Sequence, residues 1–198
     1  MKTLLLMRHA KSSWKEADLT DHDRPLNKRG KKDVPMMGSL IKEKELVPQK
    51  IMFSSALRAT ETAKMLQDTS GFTGELDCLD SFYLAEPNVY LEPLQSLPDE
   101  IERVMVIGHN PGLEGLLQIL SGQILPLTAG EVAHLVLPIE HWNEVSLDCE
   151  GELVETFSPH TMEKKVKKEK KEIKEKKEKE EKEEKKGKEK KSHKHSKS

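Results

Sequence analysis

The sequence has only two cysteines, Cys78 and Cys149, and no Cys-x-x-Cys pair. This scarcity argues against a disulfide-stabilised secreted scaffold and indicates a reducing compartment, which we expect to be the cytoplasm. The chain also lacks any run of 18 apolar residues, and the apolar run after Met1 is too short for a secretory signal, so we expect no association with a membrane. No cluster of Cys, His or carboxylate residues has metal-ligand spacing, so we expect neither a metal nor another cofactor.

Charge is unevenly distributed along the 198 residues. Residues 163–198 contain 18 Lys and 10 Glu but only two apolar side chains, Val166 and Ile173. This segment therefore carries a net charge of +8, whereas residues 1–162 carry −10. A segment so poor in apolar residues cannot bury enough surface to offset its ordering entropy. We predict a folded domain over residues 1–160 and a low-complexity tail over 161–198, either disordered or a solvated helix.

The tail has no aromatic residue that could stack on a nucleic acid base, and its glutamates dilute its positive charge. Nucleic acid is therefore not an expected partner. Binding to an acidic protein partner and a purely solubilising role both remain open.

The domain alternates between apolar runs typical of strands and longer helix-like stretches. The strand-like runs are residues 4–7, 51–53, 104–107, 132–137 and 145–147. The helix-like stretches cover about 28–45, 57–67, 90–97 and 113–120. Strands alternating with helices predict an α/β fold with three layers, in which a mainly parallel central sheet is covered by helices on both faces.

The segments that follow three of the predicted strands carry cationic or imidazole side chains. Ligands of such sheets bind at the carboxyl ends of the strands, where the chain leaves the sheet. The side chains that should meet at this edge are Arg8 and His9 after the first strand, Arg58 after the second and His109 after residues 104–107.

Several helix starts carry polar residues that suit a helix N-terminus. Asn27 is predicted to cap the helix from residue 28, Ser54 or Ser55 the helix from 57, and Asn110 the helix that follows Pro111. Arg58 lies in a first helical turn, which is unfavourable for a cation and indicates an anionic partner. Arg24, before Pro25 in a rigid turn, is a further cation that could join this site.

A phosphoryl group is the ligand that best suits several converging arginines, because guanidinium groups match its oxygens in pairs. The same positive field lowers the pKa of a nearby histidine and keeps it neutral. A neutral His9 facing a polarised phosphorus atom is a nucleophile. Its attack would form a phosphohistidine that water then hydrolyses.

At these positions the sequence resembles the histidine phosphatase superfamily, and within it the small SixA-like phosphohistidine phosphatases. The resemblance covers about residues 1–160 and rests on LLLMRHAKSSW, DHDRPLNKRG, SSALRATETA and VIGHNPGLEGLL in the family order. It implies that His9 is the phosphorylated nucleophile, that His109 stabilises developing charge, and that Arg8, Arg24 and Arg58 hold the phosphoryl group. Ala10 stands where the superfamily usually has glycine; alanine is common at this position in close relatives of the SixA-like group.

The chain has no room between Gln67 and Arg103 for the large insert that carries the acidic proton donor in larger family members. Asp21 and Glu86 are the candidate donors, and we favour Asp21. Without a roof over the strand ends, the site should be an open groove that admits a phosphorylated side chain on a protein. Trp14 either lines this groove or packs elsewhere.

We therefore expect a phosphatase that hydrolyses phosphohistidine on proteins, with a phosphohistidine carrier as its partner. The weak P–N bond of such a substrate reduces the need for a strong enzyme acid. The alternatives are a small-metabolite phosphatase or mutase of the same superfamily, and a phosphate-binding module without turnover.

Overall fold

A six-stranded sheet with the order β3-β2-β4-β1-β5-β6 forms the centre of the computed structural model, which describes residues 1–164 and residue 171. The strands are β1 (Lys2–Arg8), β2 (Lys50–Ser54), β3 (Glu75–Leu79), β4 (Arg103–Gly108), β5 (Val132–Leu137) and β6 (Glu152–Phe157). The helices are α1 (Lys28–Glu43), α2 (Leu57–Ser70), α3 (Leu91–Gln95) and α4 (Gly112–Ser121). Most of the predicted tail over 161–198 lies outside the described residues, so its conformation stays a prediction.

The sheet is mainly parallel, as the alternation of strands and helices predicts. β4 pairs in parallel with β1 and β2, and β2 pairs in parallel with β3. β5 and β6 add an antiparallel edge next to β1. The carboxyl ends of β1, β2 and β4 consequently lie side by side at one edge of the sheet.

Helices cover both faces of the sheet, because successive strand side chains point to opposite faces and the central strands are apolar on both. Leu4 and Leu6 of β1 are fully buried in one core cluster with Leu113 and Leu116 of α4. On the other side α1 and α2 pack against each other, and α2 packs against β2 and β4. The predicted three-layer α/β architecture is confirmed, and it occupies Met1–Pro159 as one unit.

Two of the predicted helix starts are wrong. Asn27 does cap α1, because its Oδ1 accepts a hydrogen bond from the backbone N–H of Gly30 at 2.9 Å. In α2 the N-cap is Ala56 with no side-chain cap, so neither Ser54 nor Ser55 has the predicted role. In α4 the N-cap is Pro111 rather than Asn110.

The predicted strand at residues 145–147 is also wrong. This segment follows a single 3₁₀ turn, Trp142–Glu144, and its apolar character reflects the burial of Val145 in the core. The last strand is instead β6, and the edge strand β3 was not predicted. Both have mostly partly exposed side chains, so they lack the strongly apolar signal of the central strands.

Within residues 1–164 and 171, no helix combines the length and apolar character needed to cross a membrane.

Candidate active site

A cavity of about 360 Å³ opens at the carboxyl ends of β1 and β4 and beside the start of α2. All six residues predicted for the site line it, although they come from four separate parts of the chain. The lining residues used below are Arg8, His9, Trp14, Asp21, Arg24, Arg58, Leu84 and His109. Parallel strands place their carboxyl ends at one edge, which is why the predicted convergence occurs.

His9 is held in a defined orientation at the end of β1 and is only 9% exposed. Its Nδ1 lies 2.8 Å from the carbonyl oxygen of Ala10, which can only accept a hydrogen bond, so Nδ1 carries the proton. Its Nε2 accepts a hydrogen bond from Nε of Arg58 at 3.2 Å. Nε2 is therefore unprotonated, and its lone pair accepts a hydrogen bond from the arginine that would hold an anion.

Both site histidines are neutral at physiological pH. Burial, followed by the charges of Arg58, Arg8 and Arg24, lowers the pKa of His9 from its ordinary 6.5 to about 4, despite the opposing hydrogen bond to Ala10. Burial and the neighbouring His9 and Arg58 lower the pKa of His109 to about 3. The predicted neutral state of His9 therefore has two causes, its burial and the positive charge of the surrounding arginines.

His109 lies beside His9, with the two ring centres 5.0 Å apart. Its Nε2 is 2.8 Å from the hydroxyl oxygen of Ser54, and its Nδ1 is 3.3 Å from Nη2 of Arg58. A guanidinium group can only donate, so Nδ1 accepts from Arg58 and Nε2 donates to Ser54. His109 thus fixes Arg58 in the free site, and it is only 2% exposed.

Arg8 and Arg24 are anchored through part of their guanidinium groups. Nη1 of Arg8 donates to the carbonyl oxygen of Leu127 at 2.9 Å, while its buried Nε has no hydrogen-bond partner. Arg24 donates from Nε to the carbonyl oxygen of Ser13 at 2.8 Å and from Nη2 to the hydroxyl of Ser12 at 2.7 Å. Both side chains keep further N–H groups for a ligand.

Asp21 is an anion that contacts two of the three arginines of the site. Its carboxylate accepts hydrogen bonds from Arg24 at 2.8 Å, from Arg58 at 3.0 Å and from the hydroxyl of Tyr83 at 2.8 Å. Partial burial would raise the pKa of this carboxyl, but the Tyr83 and Arg24 hydrogen bonds and the Arg58 charge outweigh it and lower the pKa to about 2. Asp21 is therefore ionised in this arrangement. The other candidate, Glu86, is exposed and does not line the cavity.

Comparison with known proteins shows the family of this chain. The profile of the histidine phosphatase superfamily (branch 1) matches residues 4–80. A chloroplastic, uncharacterised protein of Arabidopsis thaliana is 35% identical over 153 residues, which cover 72% of this chain and 70% of that protein. The chain belongs to the histidine phosphatase superfamily. An uncharacterised Mycobacterium leprae protein is 28% identical over 119 residues, covering 59% of this chain and 71% of its own.

Solved structures show the same histidine phosphatase fold. The protein histidine phosphatase SixA complexed with tungstate has a TM-score of 0.70 at 22% identity and covers 81% of this chain and 99% of its own. A mycobacterial glucosyl-3-phosphoglycerate phosphatase has a TM-score of 0.58 at 12% identity and covers 78% of this chain and 98% of its own. Membership of this superfamily supports phosphatase activity for the chain.

The cavity is also supported by polar residues whose contacts to the site were not predicted from the sequence. The hydroxyl of Thr62 accepts from the backbone N–H of Ala10 at 3.1 Å and donates to the carbonyl oxygen of Arg58 at 2.7 Å. It thereby connects the end of β1 to the first turn of α2. Thr62 follows Arg58 by four residues on one helix face, and this spacing was the available signal. Ser54 and Tyr83, which hold His109 and Asp21, gave no comparable signal.

In the part of the chain that the structure describes, no group of three or more His, Cys, Asp or Glu residues is placed to hold a metal ion.

Proposed function

We propose that this protein hydrolyses phosphohistidine on protein substrates through a covalent phosphohistidine intermediate at His9. The observation that carries this proposal is that the neutral, buried imidazole of His9 is paired with Arg58 at its unprotonated nitrogen, Nε2. Nε2 of His9 is unprotonated, and its lone pair accepts a hydrogen bond from Nε of Arg58 at 3.2 Å. A phosphoryl group bound by Arg58 would therefore lie next to the nucleophile.

In the first step Arg58 exchanges its hydrogen bond to Nε2 of His9 for one to a phosphoryl oxygen, and the released lone pair of Nε2 attacks the phosphorus atom. A bond forms between Nε2 and phosphorus, and the bond between phosphorus and the substrate nitrogen breaks, leaving its electron pair on that nitrogen. In the second step water attacks the phosphorus atom, the bond to Nε2 breaks, and its electron pair returns to Nε2. Inorganic phosphate leaves with the water oxygen, and the surplus proton passes to solvent.

The arginines supply the electrostatic part of the reaction. In phosphoryl transfer the charge spreads over the three equatorial oxygens, where preorganised cations are most effective. Arg58 and Arg24 are oriented by Asp21, and Arg8, anchored through Nη1 to the carbonyl oxygen of Leu127, also lines the cavity. A bound phosphoryl dianion also favours protonation of His109, which would then donate to a phosphoryl oxygen as charge develops.

Asp21 supports a substrate with a good leaving group. As a carboxylate that accepts hydrogen bonds from Arg24, Arg58 and Tyr83 and has a pKa of about 2, it has no proton to give, so an alkoxide leaving group would depart without help. An imidazole leaves as a neutral molecule when its second nitrogen is protonated. We therefore assign Asp21 to the orientation of Arg24 and Arg58, and phosphohistidine rather than phosphoserine to the substrate.

The test is a panel of phosphohistidine, phosphoserine and sugar phosphate substrates, with trapping of the phosphorylated enzyme. We expect fastest turnover of phosphohistidine, a phosphoenzyme that is stable in alkali and labile in acid, and unchanged rates in EDTA. The His9→Ala variant should lose turnover and labelling, whereas His141→Ala, at an exposed histidine outside the cavity, should keep both. Faster turnover of a sugar phosphate would favour a metabolite phosphatase and overturn the proposal, as would binding without turnover.

A further inference from the structure

Two large apolar side chains are exposed at the cavity that contains His9. Trp14, in the segment after β1, is 78% exposed, and Leu84, in the loop after β3, is 57% exposed. Single exposed apolar side chains are common on protein surfaces, so it is the position of these two at the cavity that gives them significance. Trp14 therefore does not pack in the core, and the second of its two predicted roles is excluded.

Trp14 is attached to the phosphoryl-binding groups through Arg24. The guanidinium carbon of Arg24 lies 3.1 Å from the centre of the indole ring, so the two planar groups are in direct contact. The three hydrogen bonds of Arg24 to Ser13, Ser12 and Asp21 hold that guanidinium in place. Since most of the indole is exposed, its remaining surface is open to a molecule in the cavity.

Leu84 also has an unusual backbone conformation. Its φ angle is +50°, in the left-handed region that non-glycine residues rarely adopt. Such conformations cluster at ligand-binding and active sites, where the surrounding structure enforces them. Leu84 lines the cavity and is not part of the core.

We propose that Trp14 and Leu84 form a binding subsite for the heteroaromatic leaving group, the imidazole ring of the phosphorylated histidine. The inference rests on the proposed function. In-line displacement requires the leaving nitrogen to lie on the side of phosphorus opposite Nε2 of His9, which directs the substrate ring away from His9 and toward the opening. A planar imidazole fits against an exposed indole and a leucine, whereas the side chain of phosphoserine offers no ring to either.

The experiment compares two small substrates that share the P–N bond. N-phosphoimidazole carries the ring, and phosphoramidate does not. We expect Trp14→Ala to lower kcat/KM for N-phosphoimidazole by about 3- to 10-fold, mainly through KM, and to change kcat/KM for phosphoramidate by less than about twofold. Leu84→Ala should also lower kcat/KM for N-phosphoimidazole selectively, but by a smaller factor. Trp14→Phe, which keeps an aromatic ring, should retain most of the wild-type kcat/KM.

The control is Ile124→Ala, which removes an apolar side chain of similar exposure, 80%, from a different surface. It should leave both substrates unaffected. Equal losses of kcat/KM on both substrates in Trp14→Ala would show that Trp14 acts only through Arg24. No loss on either substrate would show that Trp14 does not contribute to catalysis or binding. Each of these results overturns the subsite. Failure of the wild-type protein to hydrolyse either P–N compound, with turnover of phosphate esters, would instead overturn the proposed function and the subsite with it.

Discussion

Nε of Arg58 donates a hydrogen bond to Nε2 of His9 across 3.2 Å, so the proposed nucleophile is paired with a cation rather than with a base. This pairing serves two purposes in one contact. The positive charge helps keep the imidazole neutral, and the same guanidinium is in place to hold the phosphoryl group that the imidazole attacks. A binding module would need the cations but not an unprotonated imidazole nitrogen beside them.

Replacement of Arg58 should therefore reduce activity strongly. We expect Arg58→Ala to lower kcat/KM for phosphohistidine by about 100-fold or more, because one preorganised charge contact to the transition state is lost. Lys64→Ala removes a cation from an exposed position on the same helix and is the matched control, with an expected change below about twofold. Steady-state kinetics on both variants, after circular dichroism has shown that they fold, would decide. Equal losses in the two variants would contradict a specific role for Arg58.

The titration of His9 can be measured directly. We expect ¹H–¹⁵N NMR of the free protein at pH 7 to show a neutral His9 protonated at Nδ1, with a pKa of about 4 rather than 6.5. Activity limited by His9 should then stay level from pH 7 to pH 5. A protonated His9 at pH 6 would contradict the proposed nucleophile.

The same shifts make the free energy of unfolding depend on pH. Because the pKa values of His9 and His109 are lower in the folded state, the unfolded chain binds protons first as the pH falls below about 6.5. The protein should lose stability from pH 6.5 down to about pH 4, and urea denaturation at pH 7 and pH 5 would detect it. The pKa of Asp21 is lowered from 3.8 to about 2 in the folded state. Asp21 therefore stabilises the fold above about pH 3.8 and loses this contribution as the pH falls toward 2. The His9→Gln variant should show a smaller difference between pH 7 and pH 5, and an unchanged difference would count against the His9 shift.

Asp21→Asn separates an orienting role of Asp21 from a role as proton donor. We expect a loss in kcat/KM of about tenfold that is similar for phosphohistidine and phosphoserine, since the charge-assisted bonds to Arg24 and Arg58 weaken for either substrate. A proton donor would behave differently, because its removal would slow phosphoserine, with the poorer leaving group, far more than phosphohistidine. Rates of both substrates with the wild type and the variant give the answer.

The central part of the fold and the gathering of the site residues could be predicted from sequence for one physical reason. Buried parallel strands are continuously apolar, so their ends are visible, and the residues after them must share one edge of the sheet. His9 and His109 could therefore be placed together although 100 positions separate them. Arg24 and Asp21 depended on the family resemblance and the turn before α1, since no strand end marks them.

What could not be predicted depends on side-chain packing. The apolar run at 145–147 is as consistent with a buried turn as with a strand. Val145 is buried in the core but is not part of a β-strand. Likewise a serine after a strand is as consistent with a helix cap as with a hydrogen bond to a distant histidine. Only the structure shows that the hydroxyl of Ser54 contacts Nε2 of His109.

Ser54 and Ser55 offer a matched test of that contact, because they are adjacent and each contacts a different histidine. The Ser54 hydroxyl is fully buried 2.8 Å from Nε2 of His109, and the Ser55 hydroxyl lies 3.1 Å from Nε2 of His22. Ser54→Ala leaves the buried N–H of His109 without an acceptor, which should cost about 1–3 kcal/mol of stability. It should also lower kcat, and NMR should show that His109 loses its preference for the Nε2-protonated tautomer. Ser55→Ala should leave that tautomer and kcat unchanged; equal effects of the two substitutions would show that the serine at position 54 acts only by packing.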